Sequence, residues 1–128
     1  IPIGVPAPVA GTPFDYRQPR SIGPELDHNF CLAPHQGEMV TACQVSAAGL
    51  RLEVTTDQPG VQLYNGRHIN TGPVPGHSGV AYGPCAGLAI EPQFWPNTPH
   101  QPNFPSNLLM PGQVAIHRAR FMLSRLVQ

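Results

Sequence analysis

The run Leu50-Arg51-Leu52-Glu53-Val54-Thr55-Thr56, continued by Asp57-Gln58-Pro59-Gly60 and then Val61-Gln62-Leu63-Tyr64, carries the clearest structural signal in this 128-residue chain. Leu50, Leu52 and Val54 alternate with Arg51, Glu53 and Thr55, the period of two that sets one face of a strand against a core and the other in water. Asp-Gln-Pro-Gly is turn chemistry, and Val61 to Tyr64 alternates again before Asn65-Gly66. Two strands with so short a link predict an antiparallel pair. Outward from this region, apolar runs at 39–46, 80–82 and 88–93 are each bounded by Gly or Pro. Their irregular spacing suits an all-β sandwich rather than a βαβ protein. Residues 113–127 read both ways: Ala119, Met122, Leu123 and Leu126 favour a helix, while Val114, Ile116, Arg118 and Arg120 alternate as in a strand.

Composition narrows the function classes. Seventeen prolines and 13 glycines exclude long helices over most of the chain. With 41% hydrophobic and 11% charged residues it is a packing chain, not a disordered one. Seven arginines, no lysine and zero net charge leave no basic excess for phosphates, so neither nucleic acid nor an anionic membrane is an expected partner. Cys31, Cys43 and Cys85 are odd in number and lack CxxC spacing, which predicts small buried, reduced thiols, as in a cytoplasmic protein, and neither a disulfide framework nor a zinc ribbon. The apolar start, Ile1 to Ala10, holds three prolines, no Met and no basic leader. It reads as neither signal peptide nor membrane helix, and as the cut edge of something longer.

Several residues could carry chemistry. Glu91 follows Gly-Leu-Ala-Ile and precedes Pro-Gln-Phe-Trp-Pro; an acid there is either a poorly hydrated general base or a surface carboxylate at a strand end. Asp27-His28-Asn29-Phe30 is either a hydroxyl-binding cluster or a turn in which Asp27 caps its own backbone. Two stretches, 72–79 and 92–105, read as long ordered loops. Phe94, Trp95 and Phe104 in the second either stack on a sugar ring or pin the proline-rich loop. The six histidines show no HxH or HExxH spacing, which argues against zinc, and His77-Ser78-Gly79 reads as a turn rather than a nucleophile elbow.

Taken in order, Pro-Phe-Asp-Tyr-Arg (13–17), Ile-Gly (22–23), Asp-His-Asn-Phe (27–30), Leu-Glu-Val-Thr-Thr-Asp-Gln-Pro-Gly-Val-Gln-Leu-Tyr-Asn-Gly (52–66), Gly-Val-Ala-Tyr-Gly (79–83), Ile-Glu-Pro-Gln (90–93), Pro-Asn-Phe-Pro-Ser (102–106) and Pro-Gly (111–112) resemble the C-terminal part of the aldose 1-epimerases, the galactose mutarotases. The resemblance runs from about Thr12 to Phe121. It implies an all-β chain forming part of a β-supersandwich, with antiparallel sheets and long Pro-rich loops, and residues 113–127 as a terminal strand. It further implies interconversion of the anomers of a free aldose, with Glu91 as general base and Asp27 and Gln93 on the substrate. Tyr64 and Tyr82 would line the pocket, and no cofactor or metal takes part. In the family the acid, a histidine, lies upstream with a second histidine and an arginine, none of which has a counterpart here. The expected partners are therefore a galactose- or glucose-like monosaccharide and the N-terminal portion of the same protein or a companion chain. Asp27 and Glu91 should meet in one concave, aromatic-walled pocket, within the roughly 10 Å a pyranose spans by hydrogen bonds. A non-catalytic sugar-binding module of the same fold stands as the alternative, as does a hexose-6-phosphate epimerase, which would call on Arg17, Arg20 and Arg67.

Overall fold

The computed structural model describes residues 1–2 and 4–126, and over them the chain is almost entirely β. Its strands are β1 (Asp27–Cys31), β2 (Val40–Ala47), β3 (Leu50–Thr56), β4 (Gly60–Tyr64), β5 (Ala89–Gln93) and β6 (Ala119–Arg125). The helical element among the described residues is a single 3-10 turn, Thr98–His100, inside the proline-rich loop. Two three-stranded sheets result, in the orders β2-β3-β6 and β1-β4-β5. The chain divides into two compact units. The described residues of Ile1–Gly4, Asn29–Val61 and Pro92–Gln128 make the first, and Val5–His28 with Gln62–Glu91 the second.

In the first unit β3 pairs antiparallel with both β2 and β6. Because paired residues share a face, the register Cys43↔Val54, Val45↔Leu52, Leu52↔Leu123 and Val54↔Phe121 builds one apolar face. The opposite face is polar: Gln44 Nε2 donates to Glu53 Oε2 across β2 and β3 at 2.6 Å. Val54 is fully buried, as is Thr56, whose hydroxyl donates to the Arg118 carbonyl at 2.8 Å.

The predicted hairpin of β3 and β4 does not form; the two strands lie in different sheets. The connection between them is held elsewhere. The Asp57 amide donates to the Arg118 carbonyl (3.2 Å), and Asp57 Oδ1 accepts from the Arg118 amide (2.9 Å), which ties the end of β3 to the start of β6. The Pro59 carbonyl accepts from the Leu32 amide and from the Trp95 indole N–H. With its polar groups engaged this way, Asp57-Gln58-Pro59-Gly60 carries the chain from one sheet to the other. Residues 113–127 do end in a strand, shortened to β6, with Val127 outside the described residues.

In the second unit Leu26 is buried, and Asn65 secures it by donating its amide to the Leu26 carbonyl and its side chain to that of Gly23, both at 2.9 Å. The apolar run at 80–82 is loop rather than strand. Its Tyr82 amide donates to Thr71 Oγ1 and its carbonyl accepts from the Thr71 amide, closing the segment onto residue 71. Pro92 falls inside β5, and among the described residues β5 is an edge strand, the position at which a sheet tolerates a residue without an N–H. All three cysteines are free, but burial holds only in part for Cys43; Cys31, at the end of β1, and Cys85, in a loop with φ of +61°, are exposed.

Candidate active site

Asp27 opens β1 as a strand residue rather than a turn cap. Its carboxylate is exposed, and Oδ1 accepts from Gln62 Nε2 of β4 at 2.7 Å. This clamp fixes the orientation of the second carboxylate oxygen while leaving it open. Gln62 was not singled out from the sequence, since 35 positions separate it from Asp27. The available signal was the alternation of β4, in which Val61 is buried and Gln62 points to the other face. The neighbouring His28 ring packs on Phe14, with centroids 4.0 Å apart.

Glu91 lies at the centre of β5, on the other side of β4 from Asp27. Strands that flank a common neighbour run about 10 Å apart. Glu91 is exposed, so of the two readings its sequence context leaves open the structure shows a surface carboxylate rather than a poorly hydrated acid. Gln93, two residues on, belongs to the first unit and is half-buried.

Tyr64 and Tyr82 each support a loop. The Tyr64 hydroxyl accepts from the His68 amide at 2.9 Å, and the Tyr82 ring lies over Gly76, so that a Cβ there would displace it. In the proline-rich loop, Trp95 meets Phe104 edge to face at 5.0 Å and donates its indole N–H to Pro59 at 2.7 Å. That pair pins the loop. Phe94 instead lines an open concavity of about 440 Å³ with Leu108, Leu109 and Val114. Another, of about 600 Å³, is bordered by Thr12, Asp15, Arg17 and Arg20. Neither takes in Asp27 or Glu91, so those two residues are not enclosed in either of these hollows.

Among the described residues no three His, Cys, Asp or Glu side chains gather as a metal site would require, and no helix is long and apolar enough to cross a membrane. Ion pairs occupy Arg17, which forks onto Asp15 with Nε at 2.8 Å and Nη2 at 2.7 Å, and Arg67, which meets Glu25.

Residues 1–121 match the aldose 1-epimerase family pattern. Galactose mutarotase from Mus musculus is 42% identical over 133 aligned residues, 97% of this chain and 39% of that protein. The aldose 1-epimerase of Escherichia coli K12 is 35% identical, over 82% of this chain and 34% of its own length. A crystal structure of a GalM/aldose epimerase homologue from C. elegans superposes with a TM-score of 0.79 at 25% identity, covering 98% of this chain and 41% of that one. The chain thus spans about two fifths of the length of the relatives it matches.

Proposed function

The chain belongs to the aldose 1-epimerase family, and on that premise we propose that it forms the base-bearing part of a mutarotase that interconverts the α and β anomers of a free hexose. Glu91 takes the proton of the C1 hydroxyl. As the O1 electron pair closes to the carbonyl, the C1–O5 bond breaks and the ring oxygen receives a proton from an acid. Rotation about C1–C2 and reclosure, with the proton transfers reversed, give the other anomer. Each positioned transfer contributes about 10²–10⁴-fold.

The observation that carries this reading is the placement of Asp27, held by Gln62, and Glu91 on strands that flank β4. A carboxylate of fixed orientation is suited to a pair of sugar hydroxyls, and one on the far side of β4 to the anomeric proton. Tyr64 and Tyr82, in the same unit, complete the substrate contacts there. The acid belongs to the remainder of the fold, supplied by an N-terminal portion of the same protein or by a companion chain, and the 128-residue chain alone is inactive. The setting is cytoplasmic on this reading, from the odd number and spacing of the cysteines in the sequence. The hexose-phosphate alternative loses ground, because Arg17 and Arg67 are already committed to Asp15 and Glu25.

The test is a chimera in which this chain replaces the stretch of mouse galactose mutarotase that it matches, followed by polarimetry of freshly dissolved α-D-galactose. The chimera is expected to be active and the isolated chain to stay near the solvent rate. Glu91→Gln, which keeps shape and hydrogen bonding but cannot take the proton, is expected to lower kcat by two to three orders of magnitude in an equally folded protein. An E91Q chimera within a few-fold of its parent would exclude Glu91 as the base.

A further inference from the structure

Asp27 and Glu91 are both exposed, so burial does not set their positions; these follow from the register of β1 and β5 on β4, the strand between them. A slip of one residue would turn either carboxylate to the opposite face of the sheet. Backbone ladders repeat along a strand, so a single register requires contacts made at particular residues.

Such contacts gather at Asn65-Gly66, directly after β4, a pair to which the proposed chemistry gives no role. Asn65 is 6% exposed and engages three of its polar groups. Its amide donates to the Leu26 carbonyl at 2.9 Å and its Nδ2 to the Gly23 carbonyl at 2.9 Å, while Oδ1 accepts from the Arg67 amide at 3.1 Å. Leu26 is buried and directly precedes Asp27. Arg67, held in turn by Asn65, forms the ion pair with Glu25. The run 23–26 that enters β1 is therefore fastened to 65–67 at Gly23, Glu25 and Leu26.

Gly66 grips the run that enters β5. Its carbonyl accepts from the Cys85 amide at 2.9 Å, and it approaches the Gly87 peptide so closely that a Cβ would lie 2.7 Å from the Gly87 carbonyl oxygen. A φ of +72° adds a backbone conformation that residues with a side chain rarely adopt. Gly87 stands just ahead of β5, whose central residue is Glu91. Two consecutive residues at the end of β4 thus hold both carboxylate-bearing strands, one on each side. All the residues of this arrangement up to Glu91 belong to the second unit.

We propose that Asn65 is a positioning residue of the candidate site. Acting through the 23–26 backbone, it sets where Asp27 stands relative to Glu91, with Gly66 as the fixed point on the Glu91 side. An amide whose donor and acceptor are both engaged fixes its partners in distance and direction. This deepens the function proposed above and rests on it: a sugar held by Asp27 meets the base only at the spacing that 65–66 imposes, and a misplacement of about 1 Å costs about 10²-fold.

The test uses the mouse chimera with Asn65→Ala and with Asn65→Asp, which keeps the Arg67 contact but sets a carboxylate oxygen against the Gly23 carbonyl. Each is made in the parent and in an Asp27→Ala background. Polarimetry gives kcat/KM, and the NMR signal of the Gln62 side-chain amide reports the Asp27–Gln62 hydrogen bond without reference to activity. Both Asn65 variants should lower kcat/KM at least tenfold in the parent and less than twofold once Asp27 is gone, since a residue that acts through Asp27 has nothing left to position. The Gln62 amide signal should move towards its place in Asp27→Ala. A residue that only supports the fold would cost the same factor in both backgrounds. In an active chimera, equal losses in the two backgrounds, no loss at all, or an unmoved Gln62 signal overturns the positioning role and leaves the function standing. In an inactive chimera the Gln62 signal decides alone: movement supports the positioning role and counts against the function, and no movement overturns both. If neither Asn65 variant folds, Asn65 is a structural residue and the proposal fails.

Discussion

At the residue scale, local pairs set the behaviour of the charged groups. The Arg17 fork onto Asp15 lowers the Asp15 carboxyl from 3.8 to about 2. A carboxyl whose folded pKa is depressed contributes stability above its unfolded value, and that contribution disappears as pH falls through the folded value. The window here is pH 4 down to about 2, on the acid limb alone. NMR titration of Asp15 should give a midpoint near 2 that returns towards 3.8 in Arg17→Ala; an unshifted midpoint in the parent would show that the pair is not formed in solution. Gly66 has φ of +72°, and a Cβ there would lie 2.7 Å from both the Gly87 carbonyl oxygen and Ile69 Cδ1. Gly66→Ala combines backbone strain with a clash, and should lower stability by about 1–3 kcal/mol in urea unfolding. Asp27 and Glu91 were singled out at this scale because their motifs are contiguous. The Gln62 clamp depends on a contact across two strands, which no local pattern encodes.

At the element scale, the turn after β3 was read correctly as a turn and wrongly as a hairpin. The distinction lies in what Asp57 does. Its side chain is 8% exposed, and it accepts from the Arg118 amide at 2.9 Å and from Gln58 Nε2 at 2.8 Å. Burial works to raise the Asp57 carboxyl, but the Arg118 and Gln58 hydrogen bonds outweigh it and hold the group below its ordinary value. Its contribution is therefore present above the unfolded carboxylate range and is lost as pH drops below it. Asp57→Ala should cost about 1.5–3 kcal/mol, the range for a hydrogen bond to a charged group, and should speed exchange of the Arg118 amide. Unchanged exchange at Arg118 would mean that the tie between β3 and β6 does not depend on this carboxylate. Residues 113–127 carried helix and strand patterns together. The open face of β6 explains why: a strand that alternates weakly between Phe121, Leu123 and the intervening Met122 has apolar residues on both sides, and its period is blurred.

At the scale of the whole molecule the chain exposes more than a finished domain of its length. Its accessible surface is 9473 Å², against about 6,600 Å² for a folded monomer of this size. Among the described hydrophobic residues only Leu26, Val54 and Val61 are buried. The isolated chain should accordingly bind an apolar dye such as ANS strongly and unfold in urea with a shallow slope, and both signals should move towards those of an ordinary domain in the mouse chimera. Weak dye binding by the folded isolated chain would contradict the exposed face. The sequence by itself determined the all-β class, the positions of β3, β4 and β5, and the family, because strand period, Pro and Gly punctuation and contiguous motifs are local properties of the chain. Only the tertiary structure decided which strands pair, that Gln62 orients Asp27, that Trp95 pins its loop, and that β6 is left open. Those features arise from contacts between residues tens of positions apart, where packing and backbone hydrogen bonds select one arrangement among several that the local pattern allows equally.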